Sequence, residues 1–153
     1  MWELLVITVG KVADKGFRHG VERYAAMIGG SWRVRLESVP PSRRKDPSIC
    51  RREETSALLG RLPNGRVCIA LDPRGETMAS EAFGVFLGGL KDAGQKPAFL
   101  VGGAHGLDAS LLGPSHRKLS LSTMTYPHEL ALLMLMEQIY RAQARYTGKP
   151  YAK

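Results

Sequence analysis

Three short stretches hold the residues whose types and spacing could do chemistry. Leu71 leads into Asp72-Pro73-Arg74-Gly75, Val101 into Gly102-Gly103-Ala104-His105-Gly106, and Leu121 into Ser122-Thr123-Met124-Thr125-Tyr126-Pro127. Each follows a run that reads as a strand, and in an open parallel sheet ligands bind beyond the carboxyl ends of the strands. Glycines let backbone approach a ligand closely, and small hydroxyls add hydrogen bonds without bulk. None of the three stretches offers a metal cluster, a nucleophile–base pair or paired carboxylates. Cys50 and Cys68 have no metal-ligand spacing, so no metal is expected. Loops of this kind suit a ligand that carries its own reactivity, with the protein supplying position. GGAHG lacks the G-x-G-x-x-G spacing of a dinucleotide site and does not follow the first strand, and there is no phosphate-loop motif. His128 follows Pro127 at the start of a helix, an end that favours an anion. It would hold an anionic group such as a phosphate, or else make only a structural hydrogen bond.

The elements that must position these loops alternate. Residues 4–9 (LLVITV), 67–71 (VCIAL) and 98–101 (AFLV) are short apolar runs, and a further strand is expected at 118–121. Residues 33–39 alternate charged and apolar side chains, which predicts a strand with one open face. Apolar residues at Phe17, Val21, Tyr24, Ala25 and Ile28 have helical spacing. Asp46-Pro47 opens a polar helix running to about residue 61, as cap and first-turn proline. A helix over 80–91 contains Gly84, Gly88 and Gly89, each costing roughly 1 kcal/mol, which predicts close packing in compensation. Pro127 is expected inside the first turn of the last helix. With strands and helices in turn and no hairpins, the chain reads as one α/β domain over 1–153, a mostly parallel sheet flanked by helices.

In the last helix every residue from Leu130 to Met136 is apolar. A helix apolar all round is covered on more than one side, so a second subunit is expected, with Leu135→Glu as the disrupting change. The formal net charge of +8 and pI near 9.8 point to an anionic partner, with nucleic acid ahead of a membrane surface. That seven-residue apolar run is too short to span a bilayer. Glu3 stands where a signal peptide would be positive, and the unpaired cysteines suit a reducing, cytoplasmic location.

The segments FLVGGAHGL (99–107), LSLSTMTYPH (119–128), EQIYRA (137–142) and GKPY (148–151), with VGK at 9–11, carry a family resemblance. The chain resembles the bacterial 23S rRNA pseudouridine N3-methyltransferase H family, of the SPOUT class. The resemblance implies a trefoil-knotted α/β fold, a homodimer and S-adenosyl-L-methionine as methyl donor. It implies, as substrate, a pseudouridine near position 1915, in the helix 69 loop of 23S rRNA on the assembled ribosome. Carried over residue by residue, Leu71, Gly103 and the run Ser122, Thr123, Met124, Thr125, Tyr126 and Pro127 would bind the donor. His128 and Arg141 would be catalytic, and Arg145, Lys149, Tyr151 and Lys153 would meet RNA. Leu132 and Ala152 depart from the family pattern, which carries arginine and histidine there, and weaker or altered RNA engagement would follow. Loss of the ring N3 proton would go to His128 or to water. Two other readings stand beside this one: a SPOUT methyltransferase for another RNA nucleotide, and a non-catalytic, ribosome-associated RNA-binding protein. A flavodoxin-like nucleotide domain fits poorly, because its phosphate loop should follow the first strand.

Overall fold

Among the described residues every strand runs parallel to its neighbours, in a single sheet of order β2-β1-β4-β3-β5. The structure, a computed structural model, describes residues 1–151. β1 (Trp2–Val9) leads through α1 (Lys15–Met27) to β2 (Trp32–Val39), and α2 (Pro47–Arg61) leads to β3 (Val67–Thr77). α3 (Ser80–Asp92) connects to β4 (Pro97–Val101), and one turn of 3-10 helix at Ala109–Leu111 precedes β5 (Arg117–Ser120). α4 (His128–Tyr146) closes the fold.

Alternation along the strands builds two cores. Trp2, Leu4, Val6, Ile69, Phe99 and Val101 pack under α1, α3 and α4. Leu5, Ile7, Val9, Cys68, Ala70, Ala98 and Leu100 face the other way, under Leu58 of α2. Burial on both faces is why these strands read as continuous apolar runs. Asp46 caps α2 by accepting from Ser48 N and Ile49 N, with Pro47 in the first turn as expected. The α3 glycines admit α4: a Cβ on Gly84 would lie 3.2 Å from Arg145 Cδ, and one on Gly88 3.0 Å from Tyr146 Cδ2. Gly89 has no such neighbour within 4 Å.

Three boundaries differ from the sequence expectation. β3 does not stop at Leu71 but continues through Asp72-Pro73-Arg74-Gly75 to Thr77, with a register shift between Leu71 and Glu76 against β5. Gly75 makes this possible, since a Cβ there would sit 2.6 Å from the Lys118 backbone. β5 ends at Ser120, leaving Leu121 to the loop. α4 starts at His128, because Pro127 holds an extended ψ of 144° and serves as the N-cap residue.

The open face expected along β2 carries a charge cluster. Glu3 pairs with Arg33, Arg35 and Arg66 at 3.2, 3.4 and 2.5 Å. Burial pushes its carboxyl up, but the Arg66 hydrogen bond and the three guanidinium charges outweigh that and hold it below the ordinary range. A depressed carboxylate stabilises the fold above its unfolded value and loses that contribution as pH falls through its folded value. Wild type should therefore melt higher than Glu3→Gln at neutral pH. The gap should close as pH drops below about 4.3, the ordinary glutamate value. A gap independent of pH would assign the difference to packing.

Candidate active site

The three loops converge. A cleft of about 460 Å³ is bounded by Leu71, Asp72 and Pro73 from β3, by Val101 to Gly106 after β4, and by the stretch from Leu119 to His128. That volume lies in the range of small-molecule sites. Its polar side chains include the hydroxyls of Ser120, Ser122 and Thr125 and the larger groups of Asp72, His105 and His128. Leu71, Gly103, Ser122, Met124, Thr125, Tyr126, Pro127 and His128 all line it, whereas Thr123 does not and is exposed.

Each wall has a local cause. After β4 the chain folds into a tight turn in which Gly106 N donates to Gly103 O at 3.0 Å, and Gly106 has a φ of 78°. A Cβ on Gly102 would meet the Gly106 carbonyl carbon at 2.9 Å and its oxygen at 3.0 Å. The turn is supported from α2, where Thr55 Oγ1 accepts Asp108 N at 2.9 Å. On the β3 side the buried Asp72 accepts from Arg74 N, Nε and Nη2 at 2.9, 3.1 and 3.1 Å. Burial raises the Asp72 carboxyl, but the Arg74 hydrogen bonds and charge prevail and hold it below the ordinary range. In the third wall Ser120 Oγ donates to Ser122 O at 2.7 Å, and Ser122 Oγ accepts Met124 N at 3.0 Å. α4 then begins with no side-chain cap, leaving first-turn N–H groups free to favour an anionic group.

Sequence reasoning missed two acids. Glu129 reaches back to accept Ala13 N and Asp14 N at 2.8 and 3.1 Å, fixing the β1–α1 loop beside His128. Glu54, read as part of a polar helix, is buried behind Gly103. Both contacts join residues tens of positions apart, and no local pattern announces them.

The remaining expected residues lie elsewhere. Arg141 stands 13 residues along α4 from His128, or about 20 Å at a helical rise of about 1.5 Å. It donates through Nε and Nη2 to Glu137 Oε1 at 3.0 and 2.6 Å and lies over the Tyr151 ring. Tyr151 folds back on α4, edge-on to Tyr140 at 4.7 Å, and donates to Glu137 Oε1 at 3.2 Å. Burial, then the Tyr24 hydroxyl and the Glu137 charge, push its phenol up. Lys149 lies over the Tyr140 ring, and Arg145 is 3.8 Å from Glu81. Lys153 and Ala152 lie outside the described residues. Leu132 is 4% exposed, inside the subunit's own core, so an arginine there would be buried rather than presented to RNA.

A second hollow of about 460 Å³ runs between α1 and α4 and is mainly apolar. Leu130, Leu133 and Met134 line it, with His19, Arg23 and Glu137 among its polar residues. It shares Leu119, Ser120 and Leu121 with the first cleft. The apolar run thus divides: Leu132, Leu135 and Met136 are buried in the subunit, and the half-buried Leu130, Leu133 and Met134 face this groove. No helix among the described residues is long and apolar enough to cross a membrane, and none of them form a cluster placed to hold a metal ion.

The family profile described as "Predicted SPOUT methyltransferase" matches residues 2–152. The ribosomal RNA large subunit methyltransferase H of Gemmatimonas aurantiaca is 33% identical over 150 residues, covering 97% of each chain. That of Geotalea daltonii is 34% identical over 149 residues, again 97% of each. That of Dinoroseobacter shibae is 48% identical over 99 residues, 64% of each. A solved structure described by "Structural insights into the 2-OH methylation of C/U34 on tRNA" has the same fold at a TM-score of 0.53 and 18% identity, covering 94% of this chain and 92% of that one. Glycines that admit close backbone approach, an uncapped helix end and a cleft of this size fit a donor with an adenosine body and a charged amino-acid tail. By its full-length match to family and relatives, on a fold that gathers the three loops into one cleft, the chain belongs to the SPOUT methyltransferases, and among them to the S-adenosylmethionine-dependent ribosomal RNA large subunit methyltransferase H family.

Proposed function

We propose that this chain, as a homodimer, methylates N3 of a pseudouridine in the helix 69 loop of 23S rRNA on the assembled ribosome. The convergence of the β3, β4 and β5 loops on one cleft beside His128 carries the reading. When bound there, S-adenosylmethionine supplies a methyl group already activated on a sulfonium. The protein's task is then to align donor and acceptor for an in-line displacement and keep water out. Leu71 and the turn around Gly103 would bracket the donor, and the loop from Ser122 to Pro127 would cover it. His128, at the cleft wall, would orient the ring or take its N3 proton, held in place by Glu129's grip on the β1–α1 loop.

Support for the dimer comes from the apolar groove along α4, which adjoins the cleft through Leu119–Leu121. A second copy seated there would lie next to the cleft. Arg141, about 20 Å along α4 from its own His128, would serve the partner's site together with the tail residues Lys149 and Tyr151. Exposed Arg43, Arg44 and Lys45 suit RNA phosphates. The trefoil knot implied by the family would be formed where the loop after β5 passes the other two.

The test is methyl incorporation from labelled donor into ribosomes lacking this modification, with the product mapped. Label on N3 of the helix 69 pseudouridine is expected. Label on another nucleotide would make the chain a SPOUT methyltransferase of different target. No label, with ribosome binding intact, would make it a non-catalytic RNA-binding member.

A further inference from the structure

Glu54 is 5% exposed, yet no cation pairs with it among the described residues. One carboxylate oxygen, Oε2, accepts Ser42 N at 2.9 Å. The other, Oε1, is buried without any hydrogen-bond partner. It faces Gly103: a Cβ built there would lie 3.0 Å from Oε1 and 3.2 Å from Val9 Cγ1. Glu54 does not itself line the cleft, so it sits one backbone layer behind the wall. A carboxylate removed from water and left without a counter-charge is costly, and a fold that keeps one beside a ligand cleft gains when a cation enters.

The donor and its product differ in one charge. S-adenosylmethionine carries a sulfonium, whereas S-adenosylhomocysteine, left after the methyl has gone, carries a neutral thioether. Their ammonium and carboxylate groups are the same. We propose that the Glu54 carboxylate, acting through the thin Gly103 wall, is a positioning and specificity residue that favours the cationic donor over its neutral product. Gly103 is glycine for the same reason, since any side chain would push the carboxylate away. Across a cleft of this size a cation stands on the order of 10 Å from the carboxylate, near enough for a screened charge to shift affinity about tenfold.

The inference rests on the cofactor reading, and the experiment separates the two. Calorimetric titration measures the affinity of each ligand for wild type, Glu54→Gln and Glu54→Asp, with melting temperatures as fold controls. Glu54→Gln keeps an acceptor for Ser42 N and removes the charge. The donor-to-product affinity ratio should fall about three- to tenfold in Glu54→Gln and stay near wild type in Glu54→Asp. A purely structural role would weaken both ligands alike, and an unchanged ratio in a folded Glu54→Gln overturns the proposal. On wild type alone, sinefungin, with a protonated amine in place of the sulfonium, must bind more tightly than S-adenosylhomocysteine. If it binds no better, the proposal falls whether or not the variants fold. Wild type that binds none of the three ligands would instead sink the cofactor assignment, and the inference with it.

Discussion

Replacing Gly102 by alanine should weaken donor binding while leaving a folded protein. The new methyl would stand 2.9 Å from the Gly106 carbonyl carbon, 3.0 Å from its oxygen and 3.1 Å from Leu107 Cδ2. Two of those atoms are backbone, so relief requires moving the turn itself. The turn is tied by its own Gly106-to-Gly103 hydrogen bond, and the chain just beyond it by Thr55 to Asp108 N. It can only open toward the cleft or break those bonds. Overpacking of this kind costs about 1–3 kcal/mol, a tolerable fraction of a domain's stability. Displacement of the cleft wall by about an ångström should weaken donor binding and cost on the order of a hundredfold in methyl-transfer rate. Gly29→Ala is the control, since a Cβ there meets nothing within 4 Å. Calorimetry with S-adenosylhomocysteine reads the outcome. Wild-type affinity in a folded Gly102→Ala would remove this turn from the binding site.

Much of the candidate cleft was legible in the sequence because its signals are local. Apolar runs ending in glycines or hydroxyls mark strand ends, and the parallel sheet brings those ends to one side. Asp46-Pro47 announced α2 by capping chemistry confined to a few residues. The misses are long-range. Asp72-Pro73-Arg74-Gly75 has the composition of a turn, but pairing with β5 beyond the register shift draws it into β3, and Gly75 is there for the close approach of Lys118. Glu54 and Glu129 look like ordinary polar helix residues until the fold sets them against Gly103 and the β1–α1 loop. Leu132 and Leu133 are equally apolar, and only the packing shows that one faces inward and the other the groove.

That division of the apolar run decides how the dimer must be tested. Leu135, the position the sequence alone would choose, is fully buried within its own subunit, so Leu135→Glu would unfold the chain and say nothing about association. Met134 is the better position. It is half-buried, lines the groove between α1 and α4, and is absent from the packed cluster beneath that Leu133 joins. In a single subunit a glutamate at 134 can reach water. In a dimer seated on the groove it would be buried and unpaired, at a cost of several kcal/mol to the interface. Met134→Glu should therefore melt cooperatively near the wild-type temperature and sediment at the 16.8 kDa of one chain, whereas wild type sediments at twice that mass. Methylation of ribosomes should fall with the dimer, because Arg141 stands about 20 Å along α4 from its own His128. Wild type that sediments as a single chain at micromolar concentration would sink the dimer. A monomeric Met134→Glu with full activity would show instead that the cleft of one chain suffices for methyl transfer.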